Sequence, residues 1–149
     1  MNVLVDTSIW SKVLRRSKDH NLSIRKQIGD LIAGHRVQII GPIRQEILSG
    51  IRDDKQFEIL NTHLSAFPDL PIFLDDYVTA ARFFNVCRQK GIQGSNTDYL
   101  ICAVAIRHRQ EIFTFAKLEI ASAEDLKLIR EIRNKISHAY KVNDITEIS

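Results

Sequence analysis

Asn2-Val3-Leu4-Val5-Asp6-Thr7-Ser8-Ile9-Trp10 is the stretch on which the reading of this chain turns. Three apolar residues run straight into a carboxylate and two hydroxyls, and Ile9, Trp10, Val13 and Leu14 then recur at helical spacing. That is the pattern of a short buried strand feeding a helix. In open α/β sheets ligands bind beyond the carboxyl ends of the strands, so an acid at that point is placed to hold a metal or a reacting group. The plainer alternative is that Asp6, Thr7 or Ser8 only caps the helix, which all three residue types do well.

The wider sequence supports an α/β domain. Its 149 residues, 44% hydrophobic and 26% charged, suit one soluble globular domain with a real core. Lys and Arg total 21 against 18 Asp and Glu, a formal charge of +3 that permits contact with a polyanion without demonstrating it. Cys87 and Cys102 sit in apolar helical contexts, with no CxxC spacing or His/Cys cluster. They are expected to be buried thiols in a reducing compartment, not zinc ligands. Asp6 interrupts the apolar start, so no signal peptide is expected. No apolar run reaches the roughly 20 residues that cross a bilayer, and a cytoplasmic location is expected.

Four strand candidates alternate with helices. The strands are 3–5, 37–40, 72–74 and 111–115, and the helices include 22–33, one opened by Gly41-Pro42, one opened by Asp53-Asp54, 76–90 and one begun by Thr97-Asp98. Such alternation predicts a parallel sheet wrapped by helices. Asp75 is read as the cap of the helix over 76–90, which is apolar almost all round (Val78, Ala81, Phe84, Val86) and so predicted to be a packed core element. The run 91–96 is read as a flexible polar loop. Arg15, Arg16 and Lys18 are either a solvated helix end or a patch for backbone phosphates beside Asp6.

Three acids hold comparable positions in this plan. Asp6 ends the first strand, Glu46 lies in the helix after the second, and Asp98 lies in the first turn of the helix after the Gly-Ser-Asn run. Converging carboxylates repel unless a cation neutralises them. A hard divalent ion with oxygen ligands, Mg²⁺ or Mn²⁺, fits, and would keep waters suited to phosphodiester hydrolysis. Taken singly, each acid is as well explained by capping or solvation.

Val5-Asp6-Thr7-Ser8-Ile9-Trp10, Arg44-Gln45-Glu46-Ile47-Leu48-Ser49-Gly50 and Asn96-Thr97-Asp98-Tyr99-Leu100-Ile101 together resemble PIN-domain proteins, in particular VapC-type toxins, over about residues 1–115. The resemblance implies an α/β/α sandwich around a parallel sheet of four or five strands, and a metal-dependent ribonuclease with RNA as substrate. It also implies a homodimer held inactive by a small cognate antitoxin. Asp6, Glu46 and Asp98 would be the catalytic, metal-binding acids, with Thr7, Asn96 and Thr114 as supporting polar groups. On this reading residues 1–120 form the nuclease domain and 121–149 a helical extension.

Two regions depart from the family. VapC-like chains usually carry acids shortly after the fourth strand, in a Thr-x-Asp-x-Asp-Phe setting; here Thr114 is followed by Ala116 and Leu118, with Glu119 one position further on. The lost acid leaves open a PIN-fold module that binds RNA or antitoxin without efficient cleavage. In the tail, Leu126, Ile129, Ile132 and Ile136 make an apolar helical stripe, which is preferred to an edge strand over 126–129. Within it Arg133 and His138 match the Arg-x4-His motif of HEPN ribonucleases, although an exposed polar helix face is the simpler account.

Overall fold

The computed structural model describes residues 1–14 and 22–114. The elements in chain order are β1 (Val3–Val5), α1 (Thr7–Leu14), α2 (Leu22–Ala33), β2 (Val37–Gln38), α3 (Gly41–Leu48), α4 (Asp54–Leu64), α5 (Leu74–Gln89), α6 (Asn96–His108) and β3 (Glu111–Phe113). The three strands are parallel in the order β2-β1-β3, with Leu4 facing Gln38 on one side and Ile112 on the other. β1 is thus the central strand, and all three of its residues are buried. A parallel strand covered on both faces needs an unbroken apolar run, which Val3-Leu4-Val5 supplies.

The chain steps outward from β1 to β2 and the segment at Asp69, then crosses back to β3 on the other side of β1, so right-handed connections place the two helix groups on opposite faces of the sheet. On one side α1 packs on α2 and α3, α3 on α4, and α2 on β2; on the other α5 packs on α6 and α6 on β3. α6 is the most enclosed helix, with every residue from Tyr99 to Ala105 buried. The predicted α/β/α sandwich is therefore present, with three strands among the described residues where four or five were expected. The edge-strand alternative at 126–129 lies outside the described residues.

The strand expected at 72–74 is not formed. The chain meets the sheet earlier, through a single parallel bridge between Ile39 and Asp69, where the Leu70 N–H donates to the Ile39 carbonyl at 2.8 Å. Arg44 pins the same segment, donating to both Asp69 carboxylate oxygens and to the Phe67 carbonyl. Pro71 has no N–H for a ladder, which halts pairing there. Phe73 instead becomes the N-cap of α5, and its N–H donates to Asp76 Oδ2 at 2.8 Å. Asp76, three residues on, does the capping expected of Asp75.

α5 is also not a wholly enclosed helix. Asp76, Ala80, Phe83 and Cys87 face inward, whereas Leu74, Tyr77 and Val78 are exposed. Arg107 on α6 fixes which face turns in. It donates to both oxygens of buried Asp76 at 2.7 and 2.9 Å and to the Pro71 carbonyl, and stacks over the Phe73 ring.

Candidate functional site

The β1–α1 junction is tightly built. The Asp6 N–H continues the sheet by donating to the Phe113 carbonyl at 2.9 Å, and the Asp6 carbonyl receives the N–H groups of Ile9 and Trp10. The Trp10 indole reaches back to the Val5 carbonyl at 3.2 Å. Strand and helix therefore meet with no slack, and Asp6, only 7% exposed, projects at the carboxyl end of the central strand.

Its carboxylate is held by three donors. Oδ1 accepts the Thr7 N–H at 2.8 Å. Oδ2 accepts the Ser8 and Thr114 hydroxyls, each at 2.7 Å. Thr114 follows β3, so one oxygen ties the neighbouring strand to the start of α1. Thr7 does a second job, since its hydroxyl donates to Glu46 Oε2 at 2.5 Å. Glu46 is brought there by α3, which starts at Gly41-Pro42 and buries Ile43 and Ile47. Two of the three predicted acids are thus joined through a single threonine.

Asp98 lies at the third position of α6 in a capping box. Its N–H donates to Ser95 Oγ at 3.1 Å and its Oδ2 accepts the Ser95 N–H at 2.7 Å. The capping role weighed from sequence is therefore real. In the loop before it Ile92 is buried, and a Cβ on Gly94 would come within 2.9 Å of the Tyr99 ring.

Cys102 lies one turn beyond Asp98 along α6 and is buried. Burial pushes that thiol up to about 12, and the charges of Asp98, Cys87 and Asp6 add to the push. The buried-thiol expectation holds for both cysteines. Even so, among the described residues no three His, Cys, Asp or Glu side chains form a group that could hold a metal ion. Asp6 and Glu46 are linked through Thr7, and among the described residues no hydrogen bond joins Asp98 to either of them. All three offer oxygen, the donor type that Mg²⁺ and Mn²⁺ prefer, and Mg²⁺ is commonly held by one or two carboxylates with waters completing its shell. In donor type the three acids fit such an ion, though among the described residues they do not form one group.

Asn96 opens α6 and is exposed, and no hydrogen bond joins its side chain to the acids among the described residues. Arg15, Arg16, Lys18, Ala116, Leu118, Glu119, Arg133 and His138 lie outside the described residues. Ser8 was missed from sequence. Its signal was the Asp-x-Ser spacing across the strand–helix junction, which reads equally as a cap.

The PIN domain family model matches residues 3–117. The chain belongs to the PIN-domain family. Within that family it is 32% identical over 113 residues to the VapC ribonuclease Mb1587 of Mycobacterium bovis, covering 74% of this chain and 83% of the relative. Ribonuclease VapC11 of Mycobacterium tuberculosis matches with the same identity and coverage. Two solved structures share the PIN fold at 19% identity. The crystal structure of FitAcB from Neisseria gonorrhoeae gives a TM-score of 0.63, over 76% of this chain and 87% of that one. VapBC2 from Rickettsia felis, bound to a DNA fragment from its promoter, gives 0.65 over 90% and 95%.

Proposed function

We propose that this PIN domain is a metal-dependent endoribonuclease, a VapC-like toxin of a type II toxin–antitoxin system that hydrolyses RNA phosphodiester bonds. The observation that carries the reading is the Asp6 carboxylate, fixed at the end of the central strand by Thr7, Ser8 and Thr114 and linked through Thr7 to Glu46. Relatives at 32% identity are named ribonucleases, which supports the same reaction here.

A bound Mg²⁺ or Mn²⁺ would supply positive charge at the scissile phosphate and lower the pKa of water. The chain's own contribution is placement. Asp6, Glu46 and Asp98 would hold the cation, Thr7 orients Glu46, and Ser8 and Thr114 orient Asp6. Arg15, Arg16 and Lys18 are the proposed contacts for backbone phosphates, an attraction that salt screens. The polypeptide is taken to work in the cytoplasm under a cognate antitoxin, with residues 1–120 as the nuclease domain and 121–149 as an extension. Among the described residues no helix is long and apolar enough to cross a membrane.

The test is RNA cleavage by the full chain with Mn²⁺ or Mg²⁺ and with EDTA. Chelation is expected to abolish cleavage and added Mn²⁺ to restore it; turnover indifferent to EDTA would reject the mechanism. The alternative, a PIN-fold module that binds RNA or antitoxin without efficient cleavage, is favoured by Ala116 at the position of a usual family acid. Ala116→Asp separates them: a large gain in turnover marks a weakened nuclease, whereas RNA binding without turnover in both proteins marks the binding module.

A homodimer is part of the same proposal. The outward face of α5 carries Leu74, Tyr77 and Val78, with Asp75 near its start and Arg82 two turns later. An antiparallel copy of this face would set apolar against apolar and Asp75 against Arg82, as a two-fold interface requires. Tyr77→Glu is expected to convert the dimer to monomer in sedimentation velocity. An unchanged dimer would assign the interface elsewhere.

A further inference from the structure

We propose that the amino-terminal edge of the sheet, where His35, Arg36 and Arg109 are exposed, is a second phosphate-contact surface for RNA, remote from the acids at the opposite end. The inference rests on the ribonuclease reading above and adds where a longer RNA is gripped.

The two strands that flank β1 are delivered by the same device. α2 and α6 each end with an N–H bonded to the carbonyl five residues earlier, Arg36 to Leu31 and Gln110 to Ala105, both at 2.9 Å. In such an ending the residue before that N–H is left-handed, a place usually given to glycine. Here His35 takes it at φ 51° and Arg109 at φ 53°. Among the described residues these are the only non-glycine positions with positive φ. Gly34, beside His35, does not take the left-handed place. A Cβ is crowded in that conformation, so two basic side chains are kept at one edge against backbone preference. Outliers of this kind gather at functional sites.

The register brings them together. Val3 pairs with Val37 and with Glu111, so Arg36 and Gln110 stand level with Asn2 on either side of β1, about 10 Å apart. The Gln110 amide donates to Gln38 across β1 and ties the two outer strands to each other. Arg36 is held in place: a Cβ on Gly34 would come within 3.3 Å of its Cδ, and its Nε donates to the Met1 carbonyl at 2.6 Å.

The charge at this edge is not neutralised. Arg44 and Arg107 are each paired with a carboxylate, Asp69 and Asp76. Arg36, Arg109 and His35 have no ion pair among the described residues, and Glu111, the acid at this edge, does not reach them. An unpaired guanidinium suits phosphate oxygens, which its planar fork of donors matches. Apart from Met1 and Ile32, the exposed side chains here (Asn2, His35, Arg36 and Arg109) are polar. That favours a phosphate backbone over a protein partner, which needs a more apolar centre. β1 rises about 13 Å from Asn2 to Asp6, farther than the screening length of about 8 Å at physiological salt. Repulsion by Asp6, Glu46 and Asp98 therefore does not cancel the attraction here, and an RNA must be several nucleotides long to touch both ends.

Cations at a helix C-terminus are also favoured by the helix dipole. That role alone predicts a contribution to stability and none to RNA binding. The experiment is a fluorescence-anisotropy titration of the full chain in EDTA, over a range of salt, with single-stranded RNAs of about 4 and about 16 nucleotides. The double variant Arg36→Ala, Arg109→Gly is expected to bind the longer RNA roughly tenfold more weakly, with a salt slope smaller by about 1.4 for two lost contacts. The shorter RNA is expected to bind both proteins alike. Lysine at both positions is expected to restore most of the loss. Arg109→Gly alone is expected to raise Tm by about 3 °C as the left-handed strain is relieved, while still weakening the longer RNA.

A lower Tm with unchanged RNA affinity would assign Arg109 to the α6 dipole and overturn the proposal. Equal losses on both RNA lengths, or a wild-type salt slope in the double variant, would overturn it as well. Poly-glutamate bound as tightly as RNA of equal charge, and released by the double variant, would reassign the edge to an acidic protein. A wild type that grips the longer RNA in EDTA yet leaves it uncut with Mn²⁺ would overturn the nuclease reading and leave this inference standing. Arg36→Glu alone supplies the same readings if the double variant fails to fold.

Discussion

Asp6→Asn is expected to lower RNA cleavage on the order of a thousandfold, equivalent to about 4 kcal/mol of transition-state stabilisation. The substitution keeps the size of the side chain and removes its charge, so it separates chemistry from packing. Asp6 is the most buried of the three acids and the one gripped by three donors, and it is the central acid of the proposed metal site. An amide binds a hard cation far less well than a carboxylate, and its Nδ2 cannot accept the Ser8 or Thr114 hydroxyl. Those hydroxyls can rotate towards other acceptors, so the fold should survive with a modest loss of stability. Steady-state cleavage in excess Mn²⁺, alongside near-ultraviolet circular dichroism, checks both parts. A folded variant retaining more than about a tenth of wild-type activity would remove Asp6 from the centre of the mechanism.

Part of this site was legible from the letters alone. Val3-Leu4-Val5 could only be a fully covered strand or a fragment of buried helix, and the turn of Asp6-Thr7-Ser8 settled it as a strand ending in polar groups. Glu46 and Asp98 stood at matching points of later strand–helix units. What local pattern does not carry is partnership across the chain. The Thr7–Glu46 bond spans 39 residues and the Thr114–Asp6 bond 108, so neither follows from helical or strand periodicity. Ser8 was passed over for the related reason that a serine in a first turn already has a sufficient explanation.

The fold shows the same division. The segment at 72–74 looks apolar enough for a strand, yet Pro71 denies the ladder a donor and the Asp76 carboxylate claims the Phe73 N–H for a helix. Val78, Ala81, Phe84 and Val86 span α5 so broadly that periodicity does not say which face is inside. Arg107, 31 residues beyond Asp76, decides it by drawing that carboxylate inward.

Breaking that pair gives the second large effect. Arg107→Ala is expected to destabilise the domain by about 3 kcal/mol at pH 7, because it strands a buried carboxylate without its cation. The value is set at the low end of the range for buried pairs because the Arg107 side chain is 31% exposed, against 3% for Asp76. For a domain of this size the loss corresponds to a fall in Tm of about 10 °C. The two hydrogen bonds from Arg107 hold the Asp76 carboxyl below its ordinary 3.8, against the opposing pull of burial, and the Phe73 N–H adds to the lowering. A depressed carboxyl stabilises the native state most above the unfolded pKa. The contribution is therefore full at neutral pH, shrinks as the pH drops below 3.8, and is gone once the pH passes the lower, folded value. Urea unfolding at pH 7 and at pH 3 should accordingly show the gap between wild type and Arg107→Ala narrowing on acidification, since protonated Asp76 no longer needs its partner. A gap that stays constant between those two conditions would mean that Arg107 contributes through its stacking on Phe73 and its bond to the Pro71 carbonyl, and not through the charge of Asp76.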